Sequence, residues 1–273
     1  MRAFARLCSL LLVVAFVAGC HDAKPSSTPD VPANVGSTTM TPGSVLGGLS
    51  DADKVARVDY SILFVGNSHT AFHNLPGLIC DMIRFRHPEQ TTYYHYVPVA
   101  FLDVVAQIPT CKQELETRPW KYVVFQAQRI SMSGQHNYSQ QEGIDIARFA
   151  HSKGVKTIFY AEWGMKGVPN DGERQDQIYR GMAKQAGATV ASVAKAWDLA
   201  LSKRPDLPLY QPDGNHQSSM GAFLTACVLY GSITGESPHL LSAYPYQPVS
   251  ETDRQYLANV AAKVVADEKA SAP

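Results

Sequence analysis

The stretch Asp59-Tyr-Ser-Ile-Leu-Phe-Val-Gly-Asn-Ser-His-Thr70 runs from an apolar segment through a glycine turn towards a helix. Ile62 to Val65 is an unbroken apolar run of β-favouring residues, the pattern of a strand buried on both faces. Gly66-Asn67-Ser68 follows at once, and Leu75 to Arg86 then has helical character. Strand, tight turn and helix together lift a serine out of the sheet edge and leave its hydroxyl exposed. The helix that follows offers backbone N–H groups near any oxyanion formed at Ser68. Read alone, Gly-x-Ser-x-Thr fits a serine nucleophile and, more commonly, a serine that caps or shapes a turn.

Downstream, apolar strands alternate with helical segments. Strands are expected at Ile62–Val65, Thr92–Val97, Tyr122–Gln126, Thr157–Ala161 and around Thr189–Val193, with helices at Leu75–Arg86, Leu102–Glu116, Gln140–Lys153, Gly172–Ala186, Ser218–Thr234 and Glu251–Lys269. This order predicts an α/β fold: a flavodoxin-like three-layer α/β/α domain with a mostly parallel, five-stranded sheet. Ligands of such sheets bind beyond the carboxyl ends of the strands. Gly66-Asn67-Ser68, Gln126-Ala127-Gln128 and Glu162-Trp163-Gly164 all fall there.

A second polar cluster is Leu209-Tyr-Gln-Pro-Asp-Gly-Asn-His-Gln-Ser-Ser-Met-Gly221. On a loop, the spacing of Asp213 and His216 lets the carboxylate reach one imidazole nitrogen and leaves the other free to face a serine. Singly, Asp-Gly is a turn and a loop histidine is a solvated one; with Ser68 the pair gains meaning. Ser218 or Ser219 is placed to cap the helix that follows.

Gly66-Asn67-Ser68-His69-Thr70 after a buried strand, with Asp213-x-x-His216 before a C-terminal helix, resembles the SGNH (GDSL-like) hydrolase superfamily. The resemblance spans roughly Asp59 to Gly235. It implies a serine ester hydrolase with a Ser68–His216–Asp213 triad and no cofactor, acting on a small-molecule or glycan ester. It also implies an oxyanion hole built from the backbone N–H of Ser68, a glycine N–H from the second block and an asparagine from the third. The third block here ends Val123-Val-Phe-Gln-Ala-Gln128, a Gln-x-Gln variant, so Gln126 is expected to supply the amide donors. The second block, Val97-Pro-Val-Ala-Phe-Leu102, has no glycine, and Ala100 stands in for it. The superfamily includes acetylesterases, lipases, thioesterases and acyltransferases. No long acyl-binding groove is evident, which favours a short acyl chain. The alternatives are an acyltransferase and an envelope-binding lipoprotein that kept the fold without turnover.

The N-terminus carries a different message. Met1-Arg-Ala-Phe-Ala-Arg6 is basic, Leu7 to Ala18 is apolar but short for a membrane span, and Val17-Ala18-Gly19-Cys20 resembles a bacterial lipobox. The expectation is a lipoprotein signal peptide over residues 1–19, lipidation and membrane attachment at Cys20, a Pro/Ser/Thr-rich tether over residues 20–50 and a hydrolase domain over residues 51–273. This places the protein in a bacterial cell envelope, periplasmic or surface-facing, on the outer membrane if the organism is Gram-negative. Acidic and basic residues balance at 24 each, with no basic cluster in the body of the chain, which argues against a nucleic-acid partner.

Other residues invite plainer readings. Cys80, Cys111 and Cys227 remain beyond the signal and Cys20; Cys227 reads as a buried hydrophobe, and Cys80 and Cys111 are candidates for a bridge. His69 and His73 lack the glutamate of a zincin helix, so no metal site is expected there, and they are candidates to line the cleft. Trp163 reads either as a platform for a sugar ring or as packing.

Overall fold

A computed structural model describes residues 49–131 and 135–271 of the 273. The expected signal peptide, Cys20 and all but the last two residues of the expected tether lie outside the described residues. Among the described residues, no helix is long and apolar enough to cross a membrane.

Five strands, β1 (Tyr60–Gly66), β2 (Thr92–Pro98), β3 (Tyr122–Phe125), β4 (Lys156–Ala161) and β5 (Thr189–Ser192), form one sheet in the order β2-β1-β3-β4-β5. Every neighbouring pair is parallel. The helices are α1 (Asp51–Arg57), α2 (Ser68–Ala71), α3 (Leu75–Arg86), α4 (Pro109–Thr117), α5 (Gln141–Ser152), α6 (Asp171–Ala186), α7 (Val193–Lys203), α8 (Ser219–Thr234) and α9 (Glu251–Ser271).

The three layers follow from strand periodicity. On β1, Ile62 and Phe64 face a core with Leu75, Ile79 and Met82 of α3, Trp197 of α7, Phe223 of α8 and Leu257 of α9. Leu63 and Val65 point the other way, towards Leu115 of α4, Ile144 of α5 and Met182 of α6. Successive side chains leave a strand on opposite faces, so a strand apolar at every position must be covered on both. β1 is also the central switch point of the strand order, where chain crossings diverge and leave a crevice beyond the carboxyl ends. Register sharpens this: Val65 lies opposite Val97 and Phe125, and Phe125 opposite Phe159. The residues that leave β1, β3 and β4 therefore emerge side by side on one rim.

Several expectations change in detail. Val193 opens α7 instead of ending β5, and α7 itself fills what reads in sequence as a connection. The Leu102–Glu116 segment is two pieces, a 3-10 turn at Leu102–Gln107 and then α4. Pro109 divides them, because the residue before a proline is pushed out of helical conformation and Ile108 takes φ −108, ψ 86. α1 precedes the first strand, capped by Ser50, whose Oγ accepts from Asp53 N at 3.2 Å.

The possible bridge between Cys80 and Cys111 does not exist. Both thiols are free and fully buried, Cys80 on α3 in one core and Cys111 on α4 in the other, with the sheet between them.

Candidate active site

The turn after β1 is held by a lattice of short polar contacts. A Cβ on Gly66 would sit 2.3 Å from Thr70 Oγ1 and 2.5 Å from Gln126 Oε1, so only glycine lets the strand end approach them. Asn67 caps α2, its Oδ1 accepting from His69 N at 3.0 Å. Ser68 is then the first residue of this short helix, just beyond the carboxyl end of β1.

The second cluster meets it from across the fold. His216 Nε2 lies 2.9 Å from Ser68 Oγ, and His216 Nδ1 lies 2.6 Å from Asp213 Oδ2. Asp213 Oδ1 accepts from the backbone N–H groups of Asn215 at 2.9 Å and His216 at 3.0 Å. Partial burial raises the Asp213 carboxyl, but the bonds from His216 and the two backbone N–H groups outweigh it and hold the group down to about 2. Phe72 stacks on the His216 ring, with centroids 4.5 Å apart and planes at 17°. The sequence reading missed Phe72, since one aromatic in a loop carries no spacing signal.

The loop carrying Asp213 and His216 is braced at both ends. Trp163 Nε1 donates to Asn215 O at 2.8 Å, Lys166 N to Gly214 O at 2.9 Å and Gln211 N to His216 O at 2.7 Å. Ser218 is the residue that caps α8, its Oγ accepting from Met220 N and Gly221 N. α8 is apolar around its circumference, with Phe223, Leu224, Val228 and Leu229 all buried, so it fixes the loop to the core.

Gln126 does not take its expected place. It is wholly buried; Oε1 accepts from Asn67 N at 2.9 Å and Thr70 Oγ1 at 2.8 Å, and Nε2 donates to Asn67 Oδ1 at 3.0 Å and Glu162 Oε2 at 2.6 Å. Both amide hydrogens are engaged, which makes Gln126 a brace for the turn rather than a donor to the cleft. Gln128 is turned inward as well, donating to Arg129 O and Ser139 O. Ala127 between them has φ 84, a left-handed conformation unusual for a residue with a side chain. The N–H groups of Ser68 and Ala100 have no hydrogen-bond acceptor among the described residues. Their loops lie together, joined by Val99 N to Gly66 O at 2.9 Å and Asn67 Nδ2 to Ala100 O at 3.4 Å.

Trp163 is not a sugar platform. It is 2 % exposed, stacked between His69 at 4.7 Å and Trp197 at 4.3 Å. His69 and His73 part company: His69 Nδ1 meets Glu162 Oε2 at 2.5 Å, whereas His73 Nε2 lies 3.1 Å from Gln217 O. No group of three His, Cys, Asp or Glu among the described residues is arranged to hold a metal ion.

The parallel five-stranded sheet with helices on both faces is the α/β/α fold of the SGNH/GDSL hydrolases. Among solved structures, the chain is similar to a candidate SGNH hydrolase from Slackia heliotrinireducens, at 20% identity and TM-score 0.52, covering 63% of this chain and 97% of that one. It is also similar to a DUF4886 family protein from Bacteroides uniformis, at 13% identity and TM-score 0.58, over 76% of this chain and 95% of that one. A third match is the acetylxylan esterase Axe2 from Geobacillus stearothermophilus, at 14% identity and TM-score 0.51, over 66% and 96%. At these identities the likeness is one of fold. No family model and no curated protein matches the chain.

Proposed function

We propose that this chain is a serine ester hydrolase with Ser68, His216 and Asp213 as its catalytic triad. One observation carries the reading: the unbroken relay from Ser68 Oγ through both nitrogens of His216 to Asp213, at 2.9 and 2.6 Å. Two segments 148 residues apart, with no local structure in common, converge at hydrogen-bond distance, which a turn-forming serine does not require.

In this mechanism Ser68 Oγ attacks the ester carbonyl carbon, its proton passes to His216 Nε2, and the carbonyl electron pair moves to oxygen. Asp213 keeps the Nδ1 hydrogen in place and balances the imidazolium. The free N–H groups of Ser68 and Ala100 face the developing oxyanion. Collapse expels the alcohol, which takes the proton from His216, and water repeats the sequence on the acyl-enzyme.

The acyl group in this reading is short and its alcohol a small molecule or carbohydrate. The acetylxylan esterase among the matched folds supports that choice. Attachment at Cys20 would set the enzyme on a bacterial envelope, as the lipobox-like sequence suggests. The test is hydrolysis of p-nitrophenyl acetate and butyrate by the full-length protein in detergent. Turnover should favour acetate and should vanish in Ser68→Ala. A folded wild type without turnover would sink the reading.

A further inference from the structure

Resting on that reading of Ser68, we propose that His69 is a further catalytic residue, whose Nε2–H donates a hydrogen bond to the tetrahedral intermediate on Ser68 while Glu162 fixes the ring. His69 follows the nucleophile directly, and its ring lies 5.3 Å from that of His216, edge to face at 90°. One face of the His69 ring rests on Trp163. Nδ1 is taken by Glu162 Oε2 at 2.5 Å. Nε2 has no partner among the described residues and is not sealed away from solvent. The ring is thus fixed by packing and by one nitrogen, with the other nitrogen left unpaired and open to solvent.

In the proposed state that nitrogen carries a hydrogen. Glu162 is buried at the end of β4, where its oxygens also take Gln126 Nε2 at 2.6 Å and, more loosely, Tyr179 Oη at 3.5 Å. His69 is the one basic side chain paired with it among the described residues. In that state the pair is neutral overall, each partner offsetting the other's burial. That pair is either carboxylate with imidazolium, or carboxylic acid donating to Nδ1 of a neutral ring. In both arrangements Nε2 bears a hydrogen.

The same contacts account for Gln126. The amide that the family resemblance assigns to the oxyanion is here turned to Glu162, so it supports the residue that holds His69. A donor is removed from the cleft and another is set beside the nucleophile. When Ser68 Oγ bonds to the carbonyl carbon and negative charge develops on oxygen, the Nε2–H of His69 strengthens its bond without transferring its proton; His216 alone shuttles the proton between Ser68 and the leaving alcohol.

The experiment compares wild type, His69→Phe and His69→Gln on p-nitrophenyl acetate, using the full-length protein in detergent. His69→Phe keeps a ring against Trp163 but has no donor. Its kcat should fall about 10²–10³-fold with KM held within about threefold, as for loss of one oxyanion donor, and His69→Gln should recover at least about tenfold through its amide. A second measurement needs no variant: ¹⁵N-edited spectra of wild-type protein at neutral pH should show His69 Nε2 protonated, with its resonance shifting when phenylboronic acid adds to Ser68. His69→Phe turning over within about threefold of wild type, or an Nε2 that carries no proton or ignores the boronate, overturns the proposal while leaving the esterase reading in place. A folded wild type without turnover overturns the esterase reading, and this proposal with it.

Discussion

At Asp213 one carboxylate oxygen takes His216 Nδ1 while the other collects two backbone N–H groups of the same loop. The side chain therefore fixes both the loop and the tautomer of the ring. Asparagine has the same shape but offers only one carbonyl oxygen, so Asp213→Asn either loses the loop contacts or presents the wrong hydrogen to His216. Its kcat on p-nitrophenyl acetate should fall by about 10⁴, the cost of the wrong tautomer in a triad. The stability effect has a defined sign. The carboxyl is lower in the folded protein, at about 2, than its ordinary 3.8. Its contribution is thus fully present above the higher value and is lost as pH falls through the lower one. Urea midpoints of wild type and Asp213→Asn should differ at neutral pH and converge on acidification towards pH 2; a constant gap would refute the account. Much of this was legible in sequence, because Asp-x-x-His on a loop constrains its own geometry. The Glu162–His69 contact was not, since nothing local reports which of several rim residues will face one another across strands. Gln126 shows the same limit: its amide chemistry was readable, but the acceptors that engage it come from Asn67 and Glu162 on separate segments.

The segment from Leu209 to Gln217 has little regular structure, yet it holds His216 Nε2 2.9 Å from Ser68 Oγ. It does so by borrowing order from β4, through Trp163 Nε1 to Asn215 O, and from α8, through the Ser218 cap. Trp163→Phe keeps much of the stacking between His69 and Trp197 and removes the indole donor. The change should cost about 3 kcal/mol or less in urea unfolding, a lost hydrogen bond plus a partly vacated site. It should lower kcat more than it changes KM, because the substrate would still bind while His216 is less well placed. Unchanged kcat would show that the loop holds itself. The five strands could be read from sequence because each is a compact apolar run with a required partner on both faces. α7 could not be separated from β5, because Ala191-Ser-Val-Ala194 carries no glycine, proline or charge to mark the boundary. The Leu102–Gln107 turn was absorbed into a helix for a similar reason, its apolar spacing matching a helix that Pro109 then restarts.

The sheet also decides the fate of the cysteines. It separates two cores, and each of Cys80 and Cys111 belongs to a different one. Sequence spacing cannot reveal this, because residues on successive helices can be neighbours or can stand on opposite sides of a strand layer. A bridge would have to pass through the fully buried centre of β1, whereas disulfide Cα atoms must come within about 7 Å. Burial raises both thiols to about 12, and raises that of Cys227 still further. A thiol so placed is scarcely ionised at neutral pH and is out of reach of oxidants, so it can persist as a small apolar group even in an oxidising compartment. Native protein should therefore leave these three thiols unreactive towards 5,5′-dithiobis(2-nitrobenzoic acid), and unfolding in guanidinium should release all three without prior reduction. The melting temperature should be the same with and without dithiothreitol. A drop on reduction, or fewer titratable thiols in the unreduced unfolded chain, would mean that a bridge forms and that the two-core arrangement is wrong. Since Ser68 leaves the strand that divides those cores, the same result would remove the scaffold from which the candidate active site is built.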